Sequence, residues 1–293
     1  MALLPAYNAE KFIQPTLESL SAQTWPNFTV LISVDVSEDA TFDICKEHAD
    51  QDPRFKVIKQ TEKCLGFSGN CNFLLRLADA DYVMFTPHDD LIMPDFSTKL
   101  AEQLDKYPTA IMAFPDTHLT NQNGSEEIWR FKKLEGVHSP LQRGAIMLKR
   151  PNHWWAPFRG MFRLKSAQWN GSLKPHHAGE FSVDWPWLFS LSLLGDFIRV
   201  PEILCYKRYM SDSLSRSWEF SKHQWFEVTA SCMREIWLSP LPTEDKIQLN
   251  NLCMKMLNRR HQDLWMDSAP ALVKHLLEKI KTVLKSLQRK LQI

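Results

Sequence analysis

Asp89 and Asp90 stand side by side directly after an apolar run, Tyr82 to Thr86. Two adjacent carboxylates behind a buried strand repel each other unless a cation or hydrogen-bond donors offset them. An all-oxygen set of this kind suits Mg²⁺ or Mn²⁺ rather than zinc. Two more polar groups follow apolar runs in the same way: Tyr7 and Asn8 after Leu3-Leu4, and Asp35, Ser37 and Asp39 after Phe28 to Val34. Ligands of open parallel sheets bind beyond the carboxyl ends of the strands. If the runs are parallel strands, the three groups converge on one edge, with His88 among them. The same residue types also make turns and helix caps. Asp39, which immediately precedes a helical segment, is read as a cap.

The elements that must position these groups are legible over the first 115 residues. Short apolar runs alternate with amphipathic stretches, the pattern of β-α-β units. Strands are predicted at Leu3-Leu4, Phe28 to Val34, Phe55 to Lys59, Tyr82 to Thr86 and Ala110 to Phe114. Helices are predicted over Ala9 to Gln23, Asp39 to Asp50, Ser68 to Ala78 and Pro94 to Lys106. Residues 116–179 carry turn signals and an aromatic cluster. A helix from Asp184 to Leu194 and short strands at Phe197 to Val200 and Ile203 to Tyr206 follow. After Trp218 the periodicity is helical, so the expected division is 1–218 and a helical extension, 219–293.

Composition excludes several classes. The chain has 293 residues, 44% hydrophobic and 24% charged, an ordinary globular balance. A net charge of +1 gives no global field to recruit nucleic acid. Six cysteines without a C-x-x-C pair, behind no secretory leader, predict reduced thiols in a cytoplasmic protein. No apolar run approaches the roughly 18 residues of a membrane span. His176, His177 and Glu180 lack the common helical zinc spacing and are read as loop residues.

The segments LLPAYNAEKF (3–12), SLSAQTWPNFTVLISVDVSEDAT (19–41), DPRFKVI (52–58), GFSGNCN (66–72) and DYVMFTPHDD (81–90) resemble, in order, the nucleotide-binding half of family 2 glycosyltransferases. FRGMFR (158–163), VDWPW (183–187) and YKRYMSDSLS (206–215) extend the resemblance to about residues 3–215. It implies a Rossmann-like α/β GT-A fold with a mostly parallel central sheet. It also implies transfer of a sugar from a nucleotide-diphosphate donor to a carbohydrate or glycolipid acceptor, in cell-surface polysaccharide or glycolipid synthesis, with Mg²⁺ or Mn²⁺ as cofactor.

The resemblance places Pro5, Tyr7, Asn8, Asp35, Asn72, His88, Asp89 and Asp90 on the donor side. Tyr7 resembles the residue packed near the nucleobase, Asp35 the carboxylate that hydrogen-bonds the base, and Asp89 the carboxylate that meets the diphosphate-bound metal. Asp90 supports the site beside it. Asp184 resembles the general base. Arg159, Trp185, Lys207 and Arg208 fall on the acceptor or phosphate side. A positioned carboxylate that takes the proton of an incoming hydroxyl contributes roughly 10²–10⁴-fold, and displacement from the opposite face inverts the anomeric centre. A nucleotidyltransferase would need a glycine-rich, basic phosphate loop near the first strand, and LLPAYNAEKF offers none.

Several positions depart from the family pattern. Val34, Pro87 and Val183 replace carboxylates, and Met210 stands where many relatives carry a histidine. These departures keep open a non-catalytic sugar-nucleotide-binding partner derived from the family. His88 is read either as a phosphate contact or as a structural loop residue. Trp154, Trp155 and Trp169 are either core or a stacking platform for sugar. From Leu272 to Leu291 apolar residues form one helical stripe opposed by lysines and arginines. Such a helix over 270–293 either lies on an anionic surface, at the inner face of the cell membrane, or docks on its own domain.

Overall fold

The computed structural model describes residues 1–121, 123–208 and 218–268. The chain opens with β1 (Ala2–Ala6), α1 (Ile13–Ser21), β2 (Val30–Val34), α2 (Thr41–Gln51), β3 (Phe55–Lys59), α3 (Gly66–Leu77), β4 (Tyr82–Phe85), β5 (Asp90–Ile92) and α4 (Phe96–Lys106). Then come β6 (Ala110–Thr120), β7 (Glu126–Trp129), α5 (Pro140–Leu148), β8 (Met161–Arg163), α6 (Leu164–Ala167), α7 (Asp184–Ser192) and β9 (Asp196–Arg208). Two long helices, α8 (Lys222–Leu238) and α9 (Thr243–Ser268), end the described chain.

The predicted elements of the first half are present, with ends displaced by a few residues. The strands run in the order β3-β2-β1-β4-β8-β6-β9-β5, with β7 paired to β6. The expectation of a mostly parallel sheet is corrected. Pairs β1–β2, β1–β4, β2–β3 and β6–β9 are parallel, whereas β4–β8, β6–β8, β6–β7 and β5–β9 are antiparallel. The antiparallel members β5, β7 and β8 are three or four residues long. Runs that short carry no readable alternation. The two strands expected around residues 197–206 are one strand, β9. Its register on β6 jumps from Pro115–Val200 to Asp116–Ile203, so Pro201 and Glu202 form a bulge.

The β1 sequence explains its central place. All five residues are buried, and alternate side chains enter opposite layers. Leu4 packs with Ile13, Leu17 and Leu20 of α1 and with Leu100 and Leu104 of α4. Leu3 joins Leu74 and Leu75 of α3 and the aromatic residues of α7. Proline is rare in central strands because it cannot donate to the ladder. Pro5 is tolerated because its nitrogen faces the β4 side, where pairing to β1 stops at Leu3.

In the second layer, Val228, Cys232 and Ile236 of α8 and Leu249, Cys253 and Leu257 of α9 continue the core that holds Trp185 and Phe189 of α7. Trp154 belongs to that core too, while Trp169 is exposed. All six cysteines are free thiols. Among the described residues, no helix is long and apolar enough to cross a membrane. The expected tail helix at 270–293 and Met210 lie outside the described residues.

Candidate active site at the strand ends

The residues after β1 and β2 form one laced loop. Asn8 adopts φ +43°. Its side-chain oxygen accepts from the Glu38 N–H at 3.0 Å, and its own N–H donates to Ser37 Oγ at 3.1 Å. Asp39 accepts from the N–H groups of Thr41 and Glu10, which tightens the start of α2. Tyr7 projects from this loop with 49% of its surface exposed.

Asp35 is buried, and its carboxylate organises the loop before α3. Oδ1 accepts from the N–H groups of Val36 at 3.0 Å and Leu65 at 2.9 Å. Oδ2 accepts from the Gly66 N–H at 2.9 Å and the Cys64 thiol at 3.2 Å. Asp35 therefore shapes the wall made by residues 64–66 through both oxygens. Asn72, expected on the donor side, exchanges two hydrogen bonds with the backbone of Leu173, at 2.6 and 3.0 Å.

The β4 end carries the carboxylates. The Thr16 hydroxyl of α1 donates to the carbonyls of His88 at 3.0 Å and Asp90 at 2.9 Å, fixing the Pro87–Asp90 turn from below. Antiparallel register sets Asp90 opposite Lys207. The Lys207 ammonium lies 3.4 Å from Asp89 Oδ2 and 3.3 Å from Asp90 Oδ1. Arg159 ends a short 3₁₀ turn over Ala156–Arg159. It donates from Nε to Asp90 Oδ2 at 2.6 Å and stacks 5.2 Å over the Trp129 ring. Burial pushes the Asp89 carboxyl up, but the charges of Lys207, His88 and Arg159 outweigh it and hold it below its ordinary value.

Asp184 is the first residue of α7. Desolvation pushes its carboxyl up to about 6, against the opposing pull of Arg159 and of the N–H groups of Asp184 and Trp185. A carboxylate poised there is ionised near neutral pH yet basic enough to take a proton. Arg159 thus lies within electrostatic reach of Asp89, Asp90 and Asp184 alike. The structure brings these four groups and Lys207 together.

Trp185 does not join them. It is fully buried and donates its indole N–H to the Met147 carbonyl. Arg208 ends β9 with its Nη2 buried and without a hydrogen-bond partner among the described residues. Two departures from the family pattern have a packing reason, since Val34 and Val183 are buried in the two cores. Sequence reasoning missed Thr16, Trp129 and Ser68. Nothing in the sequence marks a helix threonine whose target is 72 residues away.

Among the described residues, no three His, Cys, Asp or Glu side chains group to hold a metal by themselves. A cation arriving with a diphosphate needs less, since Mg²⁺ commonly binds through one or two carboxylates plus substrate phosphates. The ionised Asp89 fits that requirement.

The model for Glycosyl transferase family 2 matches residues 2–170, more than half of the chain. The chain belongs to this family. Among its relatives, the putative glycosyltransferase EpsH of Bacillus subtilis is 39% identical over 98 residues, 33% of this chain and 28% of EpsH. Chondroitin synthase of Escherichia coli is 25% identical over 255 residues, 86% of this chain and 35% of the synthase. The chain thus spans about a third of these relatives. In fold it is similar to Staphylococcus aureus TarS 1–349 in complex with UDP-GlcNAc. The TM-score is 0.67 at 18% identity, over 92% of this chain and 76% of that one. The fold is α/β and GT-A-like, a mixed sheet flanked by helices.

Proposed function

We propose that the chain is an inverting glycosyltransferase that moves a sugar from a nucleotide-diphosphate donor to an acceptor hydroxyl, in the synthesis of a cell-surface polysaccharide or glycolipid. The observation that carries this reading is Asp184, a carboxyl raised to about 6 within electrostatic reach of Arg159, the arginine that bonds Asp90 at 2.6 Å. Family membership and the likeness to TarS, itself solved with UDP-GlcNAc, support the donor class.

The acceptor hydroxyl gives its proton to Asp184 as its oxygen bonds to the anomeric carbon. The bond from that carbon to the phosphate oxygen breaks on the opposite face, and the nucleoside diphosphate leaves with the electron pair. Fixed positive groups aimed at developing charge are the largest single aid to such a step. Arg159 and Lys207, which neighbour Asp90 and Asp89, supply that charge in this reading, together with His88 next to Asp89. The base sits against the exposed Tyr7 ring and the 64–66 wall held by Asp35, with Pro5 and Asn8 shaping the loop. Asp89 would hold Mg²⁺ or Mn²⁺ with the donor, supplying Lewis-acid stabilisation of the diphosphate.

Nucleotide release from UDP-, GDP- and dTDP-sugars, with and without Mn²⁺ and with acceptor extracts, tests the reading. Asp184→Asn should abolish release while sparing donor binding. A wild type that binds a donor yet releases nothing with every acceptor would overturn it in favour of a binding partner.

A further inference from the structure

The amino-terminal turn of α3 is gripped by two carboxylates, one from the end of β2 and one from the segment before α7. Asp35 takes the Leu65 and Gly66 N–H groups on the donor side. Glu180 takes the Ser68 N–H at 3.0 Å and the Ser68 hydroxyl at 2.8 Å. These are among the orphan donors of a helix start, where negative charge is favourable. Approach is close: a Cβ on Gly66 would stand 3.0 Å from Glu180 Oε1, and Gly66 has φ +70°.

Glu180 lies four residues before Asp184, and short-range hydrogen bonds tie the chain around them. The His176 imidazole meets the Phe181 carbonyl at 2.8 Å, and the Gly179 N–H donates to the His176 carbonyl at 2.8 Å. Gly179 and Ser182 both have positive φ, at +65° and +52°. The Trp185 N–H then closes onto the Ser182 carbonyl at 3.0 Å. Two further ties fasten the preceding segment to the same helix: Asn72 to Leu173, and the Gln168 side chain to the Leu75 carbonyl at 2.7 Å.

We infer that Glu180 is a positioning residue that couples the donor-side loop at Asp35 and residues 64–66 to the turn carrying Asp184. The inference rests on the function proposed above. A nucleotide settled against the 64–66 wall fixes the start of α3, and Glu180 passes that fixation to the Asp184 turn. The general base is then in register only when the donor side is ordered.

The test is hydrogen exchange of the full chain with and without UDP, GDP or dTDP, in wild type, Glu180→Ala, Glu180→Gln and Ser68→Ala. In the wild type the bound nucleotide should slow exchange over residues 63–72 and over 178–190. In Glu180→Ala the first protection should persist and the second fall by about five-fold or more, a clear shift on the scale of local opening. Ser68→Ala should give a smaller loss of the same kind, which covers a failure of the Glu180 variants to fold. With the donor the wild type turns over, Glu180→Gln should lower kcat about ten-fold or more at little changed KM, consistent with a misplaced base. Its pH–rate profile should move to lower pH as Asp184 gains water. Equal protection of 178–190 in the variants and the wild type would overturn the inference. No protection of 63–72 by any nucleotide in the wild type would instead overturn the proposed function beneath it.

Discussion

Arg159 donates from Nε to Asp90 Oδ2 at 2.6 Å, with 11% and 1% of the two side chains exposed. A single buried guanidinium thereby ties the β4 turn to the segment entering β8, and its charge extends to Asp89 and Asp184. Removing one partner of a buried ion pair costs about 3–5 kcal/mol because the other charge is left uncompensated. Arg159→Met should fall near about 3 kcal/mol, since Lys207 still faces Asp90 at 3.3 Å. Urea unfolding measures this. The pair Arg159→Met, Asp90→Asn should recover much of the stability without recovering transfer.

Asp184 should set the acid limb of the pH–rate profile. Its proton is lost at about 6, so transfer should fall ten-fold per pH unit below that value. Arg159 pulls that value down, so Arg159→Met should move the limb to higher pH. Rates over pH 5–9 check both statements.

The same carboxyl sets a stability trend of opposite sense. Its folded value lies above the ordinary 3.8, so its contribution to stability is full below about 3.8 and is lost as pH rises through about 6. The ionised group then costs up to about 3 kcal/mol. Asp184→Asn should raise Tm at pH 8 and leave it nearly unchanged at pH 4. A melting series across that range would show a neutral variant that is inactive yet more stable.

Lys207 and a divalent cation compete for the charge of Asp89. Lys207→Met should lower the Mn²⁺ concentration needed for half-maximal UDP binding by about three- to ten-fold. It should also weaken UDP binding when EDTA replaces the metal. Calorimetric titrations at fixed Mn²⁺ levels give both numbers.

Asp35→Asn places an amide against backbone N–H groups that need an acceptor. Charge-assisted bonds of this kind are worth roughly twice neutral ones. The expected result is a stability loss of about 2 kcal/mol and at least about a ten-fold loss of nucleotide affinity. Thermal melts with and without UDP, GDP and dTDP separate the two effects.

The donor half was legible because its strands are continuous apolar runs and its functional groups follow them directly. Asp35, Asp89 and Asp90 all fall where that pattern places them. Their partners were not legible. Lys207 reaches Asp90 through β5–β9 register across 117 residues, and sequence spacing says nothing about that distance. Asp35 is expected to contact the base, but nothing in its spacing shows that its oxygens meet a loop 30 residues on, next to the helix α3 that packs on β2. Trp185 adjoins Asp184 in sequence but turns into the core, because neighbours on a helix face different ways. Glu180 belongs to no periodic pattern at all.

The short strand β8 joins the two halves of the sheet, running antiparallel to both β4 and β6. Gly160 admits it, since a Cβ there would stand 2.5 Å from the Ala113 carbonyl. Among the described residues, the chain between β6 and this seam is loop with the short elements β7 and α5 and a 3₁₀ turn, while the strands leading to Asp35 and Asp89 lie on the far side. In mechanical terms the seam is a buffer: a change of length between β6 and Gly160 leaves the β3-β2-β1-β4 pairing that leads to Asp35 and Asp89 untouched.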